Sequence, residues 1–151
     1  MKLLDLLTDE AVAFNFEVST KEEAIQKVAR LLESAGKLND ISTYSKDVQI
    51  RENECTTGIG FGIAIPHAKS RGVKESAITF VKLSNPINWD SLDGEPVDTI
   101  IMLAVPFGEN AEFLELLSKL SYNLMNDEFR EKLLDSQSKE EVHQLFETYI
   151  K

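Results

Sequence analysis

The segment Thr57-Gly58-Ile59-Gly60-Phe61-Gly62-Ile63-Ala64-Ile65-Pro66-His67-Ala68 follows shortly after Arg51-Glu52 and holds the residue types best suited to chemistry. Three glycines alternate with apolar residues, and a short β-like run then delivers a histidine directly after a proline. Glycines at this density let backbone N–H groups approach an anion closely, which makes Thr57, Gly58, Gly60 and Gly62 candidates for an anion-cradling loop. Proline fixes φ on the approach, so His67 should sit at a strand end on a stiff support. Residue types alone leave a second reading open, in which the segment is a turn carrying an exposed histidine.

Other chemistries fail on spacing. Gly58-x-Gly60-x-Gly62 is not the dinucleotide fingerprint, and it follows an expected helix where that fingerprint needs strand then helix. No phosphate-binding Walker sequence and no G-x-S-x-G nucleophile elbow occurs. Cys55 has neither a C-x-x-C partner nor a nearby histidine, and reads as a small packing residue. Glu140-x-x-His143 has the carboxylate–histidine spacing of di-iron bundles but lacks the second copy they require. His143 should therefore be solvated on a helix flank between Lys139 and Glu147. With two histidines and one cysteine in the chain, neither a metal site nor a cofactor is expected.

The elements that must position His67 follow from composition and period. The 151 residues are 42% hydrophobic, enough for one domain over 1–151 with a sizeable core. The net charge of −10 argues against nucleic acid or an anionic membrane face as a partner. One cysteine excludes an internal disulfide, and no apolar run reaches the ~18 residues of a membrane helix. The expected location is the cytoplasm.

Alternation of Val12, Phe14, Phe16 and Val18 predicts a half-buried strand. Thr20-Lys21-Glu22-Glu23 then offers a capping box for a helix with Ile25, Val28, Leu32 and Ala35 inward, stopped by Gly36. A second helix is expected from Asp40 to about Arg51, with Ile41, Tyr44 and Val48 on its apolar face. Ala77 to Leu83 reads as a strand, Ser84-Asn85-Pro86 and Asp93-Gly94 as turns, and Thr99 to Val105 as a continuous central strand buried on both faces. Beyond Gly108 a helix should turn Leu114, Leu117, Ser121 and Leu124 inward, followed by a short helix with Phe129 and Leu133. Ser138-x-x-Glu141 caps a last helix presenting Val142, Leu145, Phe146 and Tyr149 to the core. Together these predict an α/β single-domain sandwich, a central mixed β-sheet flanked by helices.

Glu52, six residues, Ile59-Gly60, two residues, then Ile63-Ala64-Ile65-Pro66-His67-Ala68 resembles the phosphohistidine signature of the fructose/mannitol class of enzyme IIA, from the bacterial phosphoenolpyruvate-dependent sugar phosphotransferase system. Asp93-Gly94-x-Pro96-Val97, Leu114 to Leu120 and the Phe129-Arg130 region are also similar, so the resemblance covers nearly the whole chain. Details such as Asn85-Pro86-Ile87 and Trp89 to Gly94 look closer to fructose-type members.

The resemblance implies a phosphoryl relay. Phospho-HPr, a small histidine carrier, would donate to Nε2 of His67, which would pass the group to a cysteine of enzyme IIB serving a membrane IIC. Association with such a transporter complex is compatible with a cytoplasmic domain. Arg51 matches the family's active-site arginine, which would stabilise charge on the phosphoryl oxygens. Many relatives carry a second active-site histidine where this chain has Phe113. Phe61 and Ile63 would rim the docking surface, with core burial as the other reading of Ile63. The alternative is a nitrogen-type regulatory protein that shares the histidine but controls partner proteins through its phosphorylation state.

Overall fold

A computed structural model describes residues 3–150. In chain order the elements are α1 (Leu3–Leu6), β1 (Leu7–Phe16), α2 (Lys21–Ser34), α3 (Ile41–Glu54), β2 (Gly58–Gly60), β3 (Ile63–Ala64), β4 (His67–Ser70), β5 (Ala77–Ile87), β6 (Val97–Ile100), β7 (Leu103–Pro106), α4 (Asn110–Leu124), α5 (Asp127–Leu134) and α6 (Lys139–Tyr149).

The long strand β5 organises the sheet. It pairs with β1 in parallel along one edge and with β6 and β7 antiparallel along the other. Strands β3 and β4 continue outward in parallel on β6 and β7, and β2 closes antiparallel on β3. The sheet is mixed, as its sequence pattern predicts. Residues Ile100, Met102 and Ala104 face a core shared with α2 and α3, while Ile101, Leu103 and Val105 face one shared with α4, α5 and α6. Two apolar faces explain why this run is continuous in the sequence.

The helix starts follow their capping signals. Thr20 Oγ1 accepts from Glu23 N–H at 3.1 Å, and Ser138 Oγ accepts from Glu141 N–H at 3.2 Å. Ile25, Val28 and Leu32 are buried, and Gly36 takes a φ of 76° beyond the end of α2.

Several boundaries differ from the sequence reading. The run 99–105 is central, but its ladder breaks at Ile101–Met102, where Met102 N–H turns to the Thr79 hydroxyl at 3.1 Å. Ser84-Asn85-Pro86 lies inside β5, within the register shift against β6 between Lys82 and Ile87 that accommodates Pro86, rather than in a turn. Strand β1 begins at Leu7, and Asn15 with a φ of 54° breaks its alternation, so that Val12 and Phe14 face one core while Phe16 and Val18 join the other. Helix α3 runs on to Glu54, and α4 buries Leu116, Leu120 and Leu124 while Leu114 is exposed. Neighbouring leucine stripes on α4 overlap in sequence, and only packing against the sheet selects one.

Candidate functional site

His67 opens β4, in line with β3 but separated from it by Ile65-Pro66. This gap lies opposite the break between β6 and β7, and backbone bonds bridge it. Ile101 N–H donates to the Ala64 carbonyl at 3.0 Å, and Leu103 N–H to the Pro66 carbonyl at 3.1 Å. Pro66 has no N–H to leave unpaired at the interruption. His67 itself pairs with Leu103 on the central strand.

His67 is 6% exposed, and its imidazole Nδ1 lies 2.8 Å from the Ile65 carbonyl oxygen. A carbonyl only accepts, so Nδ1 carries the proton and Nε2 keeps its lone pair. On one side lies the ring of Phe113, in the first turn of α4, with centroids 5.4 Å apart. Desolvation is the main force lowering the His67 pKa; the Ile65 hydrogen bond raises it, the Arg51 charge lowers it and the Glu52 charge raises it. The net lowering favours neutral, nucleophilic imidazole near neutral pH.

His67 opens onto a depression of about 520 Å³. Arg51 comes to it from the last turn of α3, its Nη1 anchored 2.7 Å from the Cys55 carbonyl, which satisfies one carbonyl at the helix end. Lys69 and Arg71 enter from β4 and the turn after it. Lys69 lies 5.5 Å from the Phe113 ring centre and bonds to Asn110, while Arg71 stacks 4.2 Å over Phe107. Three cations face two carboxylates here, Asp47 and Glu54, in a chain whose net charge is −10. Asp47 is engaged by Ser70 Oγ at 2.6 Å. Such an environment stabilises oxyanions.

Arg51 and His67 thus meet at one depression, whereas Thr57, Gly58, Gly60 and Gly62 are not among its lining residues. The glycines admit a different segment. A Cβ on Gly58 would lie 2.5 Å from Ser91 Oγ, one on Gly60 3.2 Å from Asp93 Oδ2, and one on Gly62 3.0 Å from Asp98 Oδ1. Gly60 and Gly62 also take positive φ, as does Phe61 between them. Phe61 is exposed but lies 3.8 Å under the Arg130 guanidinium, and Ile63 is core, so neither rims the depression.

The rim that sequence reasoning missed is Ile50 and Phe107, both largely exposed, with the cations Lys69 and Arg71. Lys69 had a usable signal, because strand period 2 puts it on the His67 face. Gly72 was also missed; a Cβ there would lie 2.5 Å from the Asp40 carbonyl oxygen, so the glycine lets the turn after β4 seat against the start of α3.

Outside the depression, Cys55 and His143 sit differently from the sequence expectation. Cys55 is exposed at the C-cap of α3 rather than packed, because its backbone, not its thiol, is used there. His143 is half-buried rather than freely solvated, with Nε2 3.1 Å from Asp9 Oδ1. Among the described residues no group of three or more His, Cys, Asp or Glu side chains is placed to hold a metal ion, and no helix is long and apolar enough to cross a membrane.

Fold and site define a class: an α/β sandwich with one oriented imidazole at a basic depression. The family model for the phosphoenolpyruvate-dependent sugar phosphotransferase system, EIIA 2, matches residues 5–149, and the chain belongs to that family. It is 41% identical over 142 residues to the fructose-specific EIIABC component of Bacillus subtilis, covering 94% of this chain and 22% of that protein's length. It is 37% identical to the fructose-specific EIIA component of Haloferax volcanii, covering 88% and 86% of the two chains. Among solved structures, nitrogen regulatory protein IIA-Ntr from Neisseria meningitidis matches with a TM-score of 0.82 at 30% identity, covering 95% and 97%. The mannitol enzyme IIA solved with phosphorylated enzyme IIB from Escherichia coli shares the fold, with a TM-score of 0.78 at 21% identity over 95% and 99% of the chains.

Proposed function

We propose that this chain, as one EIIA domain over 1–151, relays a phosphoryl group in sugar uptake, accepting it from phospho-HPr on His67 and giving it to the cysteine of an enzyme IIB. The observation that carries this reading is the free Nε2 lone pair of His67, held by the Nδ1–H bond to Ile65 and facing a basic depression beside Arg51.

In the first half-reaction Nε2 attacks phosphorus, the P–N bond to the HPr imidazole breaks, and that imidazole leaves with the electron pair. Nδ1 keeps its proton, bonded to the Ile65 carbonyl. In the second, the thiolate of enzyme IIB attacks, a P–S bond forms, and the His67 imidazole leaves neutral. Phosphoryl transfer of this kind is mostly positioning plus stabilisation of charge on the phosphoryl oxygens. Arg51 supplies the opposing positive charge, with Lys69 and Arg71 strengthening the local field. The open depression with its Ile50 and Phe107 rim suits protein partners that must reach one histidine in turn.

The relatives named for fructose at 41% and 37% identity favour sugar uptake over nitrogen regulation, for which the matching solved structure is 30% identical. The mannitol neighbour's complex with phosphorylated enzyme IIB supports the acceptor. HPr, the membrane IIC and a cytoplasmic place beside the transporter complete the proposal. Incubation with phosphoenolpyruvate, Enzyme I and HPr should add one acid-labile phosphate, followed by mass spectrometry, and enzyme IIB should remove it. A protein that stays unmodified under these conditions would sink the reading.

A further inference from the structure

Glu52 follows Arg51 on α3 but, unlike Arg51, does not line the depression, and its side chain is wholly buried. A buried carboxylate is costly unless its oxygens are met, and here they are. Lys21 Nζ lies 2.8 Å from Oε2, the Thr57 N–H donates to the same oxygen at 3.0 Å, and the Thr57 hydroxyl donates to Oε1. Lys21 is held in turn, 3.3 Å from the Trp89 carbonyl and 5.3 Å from the centre of its ring.

From Thr57 the chain of bonds continues to the site. The Thr57 carbonyl accepts from Ile65 N–H at 3.0 Å, and the Ile65 carbonyl accepts from His67 Nδ1–H at 2.8 Å. Every link is a buried hydrogen bond with its donor and acceptor fixed by chemistry. Displacing Thr57 would release the Ile65 N–H and let the Ile65 backbone shift, and with it the carbonyl that decides which imidazole nitrogen holds the proton.

We propose that Glu52 is a positioning residue for phosphoryl transfer, bracing Thr57 and thereby the Ile65 backbone, whose carbonyl orients His67 with Nε2 toward the depression. The inference rests on reading His67 as the phosphoryl acceptor. A buried ion pair could instead serve only to anchor α3 on α2, so the test must read something an anchor would not move.

The nitrogen signals of a ¹⁵N-labelled His67 ring report which nitrogen is protonated in the unphosphorylated protein. In folded Glu52→Gln the Nε2-protonated tautomer should become populated, and the rate of phosphorylation by phospho-HPr should fall about tenfold, equivalent to ~1.4 kcal/mol. A folded Glu52→Gln protein with the native tautomer overturns the proposal, even if its melting temperature is lower. Should Glu52→Gln fail to fold, Thr57→Val removes only the hydroxyl link and leaves the Lys21–Glu52 pair. It should shift the tautomer in the same direction by less, and a native tautomer there overturns the proposal equally. If the wild-type protein takes no phosphate, the relay reading fails, while the tautomer measurement still decides what Glu52 does.

Discussion

The two histidines of this chain face opposite electrostatic neighbourhoods. His143, on α6, directs Nε2 at the Asp9 carboxylate of β1, 3.1 Å away. A negative carboxylate in that position repels the anionic phosphoryl group that a reactive nitrogen must receive. His67 gives its proton-bearing nitrogen to a backbone carbonyl and keeps the other clear, among Arg51, Lys69 and Arg71. Burial therefore does not separate a structural from a reactive imidazole. What separates them is whether a hydrogen bond on one nitrogen leaves the other clear, and whether the surroundings repel or hold an oxyanion.

The largest effect should come from deleting each ring in turn. His67→Gln should abolish phosphate incorporation from phospho-HPr, while His143→Gln should incorporate one phosphate at the wild-type rate. Intact-mass measurement after incubation checks both, and phosphate on the His67→Gln protein would break the contrast outright.

Arg51 tests the oxyanion half of the contrast. Removing one charge-stabilising donor typically costs ~3 kcal/mol, about a hundredfold in transfer rate. Arg51→Ala should fold, since the lost anchor is a single bond to the Cys55 carbonyl at the C-terminal end of α3. Quenched-flow transfer from phospho-HPr at matched folded concentration reads the loss, and a wild-type rate would assign the stabilising charge to Lys69 and Arg71.

His67 was legible in the sequence because the features that place it are local: a proline before it, a strand run on either side. The central strand was legible for a related reason, since burial on two faces writes an unbroken apolar run from Ile100 to Val105. The glycines were legible as glycines but not in their use. Their partners Ser91, Asp93 and Asp98 lie some thirty residues on, and nothing near Gly58 announces that close approach. Leu114 against Leu116 was undecidable for the same reason, because the choice of stripe belongs to the sheet that α4 meets. Ile50 and Phe107 were missed because an exposed apolar residue acquires meaning only beside the others at the rim.

The smallest and most selective effect concerns Phe113, whose ring closes one side of His67 at 5.4 Å. Desolvation by such walls is the leading reason that the His67 pKa lies below its ordinary 6.5. Fewer protons are then bound in the folded than in the unfolded state between those two values, so stability rises with pH across that window. On acidification through 6.5 the folded protein should lose stability until the folded-state pKa is passed. Phe113→Asn replaces the apolar wall with an amide that does not titrate, so any change in this window belongs to His67. The imidazole should protonate at higher pH, the acid-side loss of stability should shrink, and the acid limb of the transfer rate should move upward in pH. At pH 8 the neutral form prevails in both proteins, and their transfer rates should agree within about tenfold, ~1.4 kcal/mol. Denaturant unfolding at a series of pH values, with transfer rates over the same series, checks each part. An unchanged acid limb in the folded variant would mean that the groups packed around His67 other than Phe113 supply its desolvation.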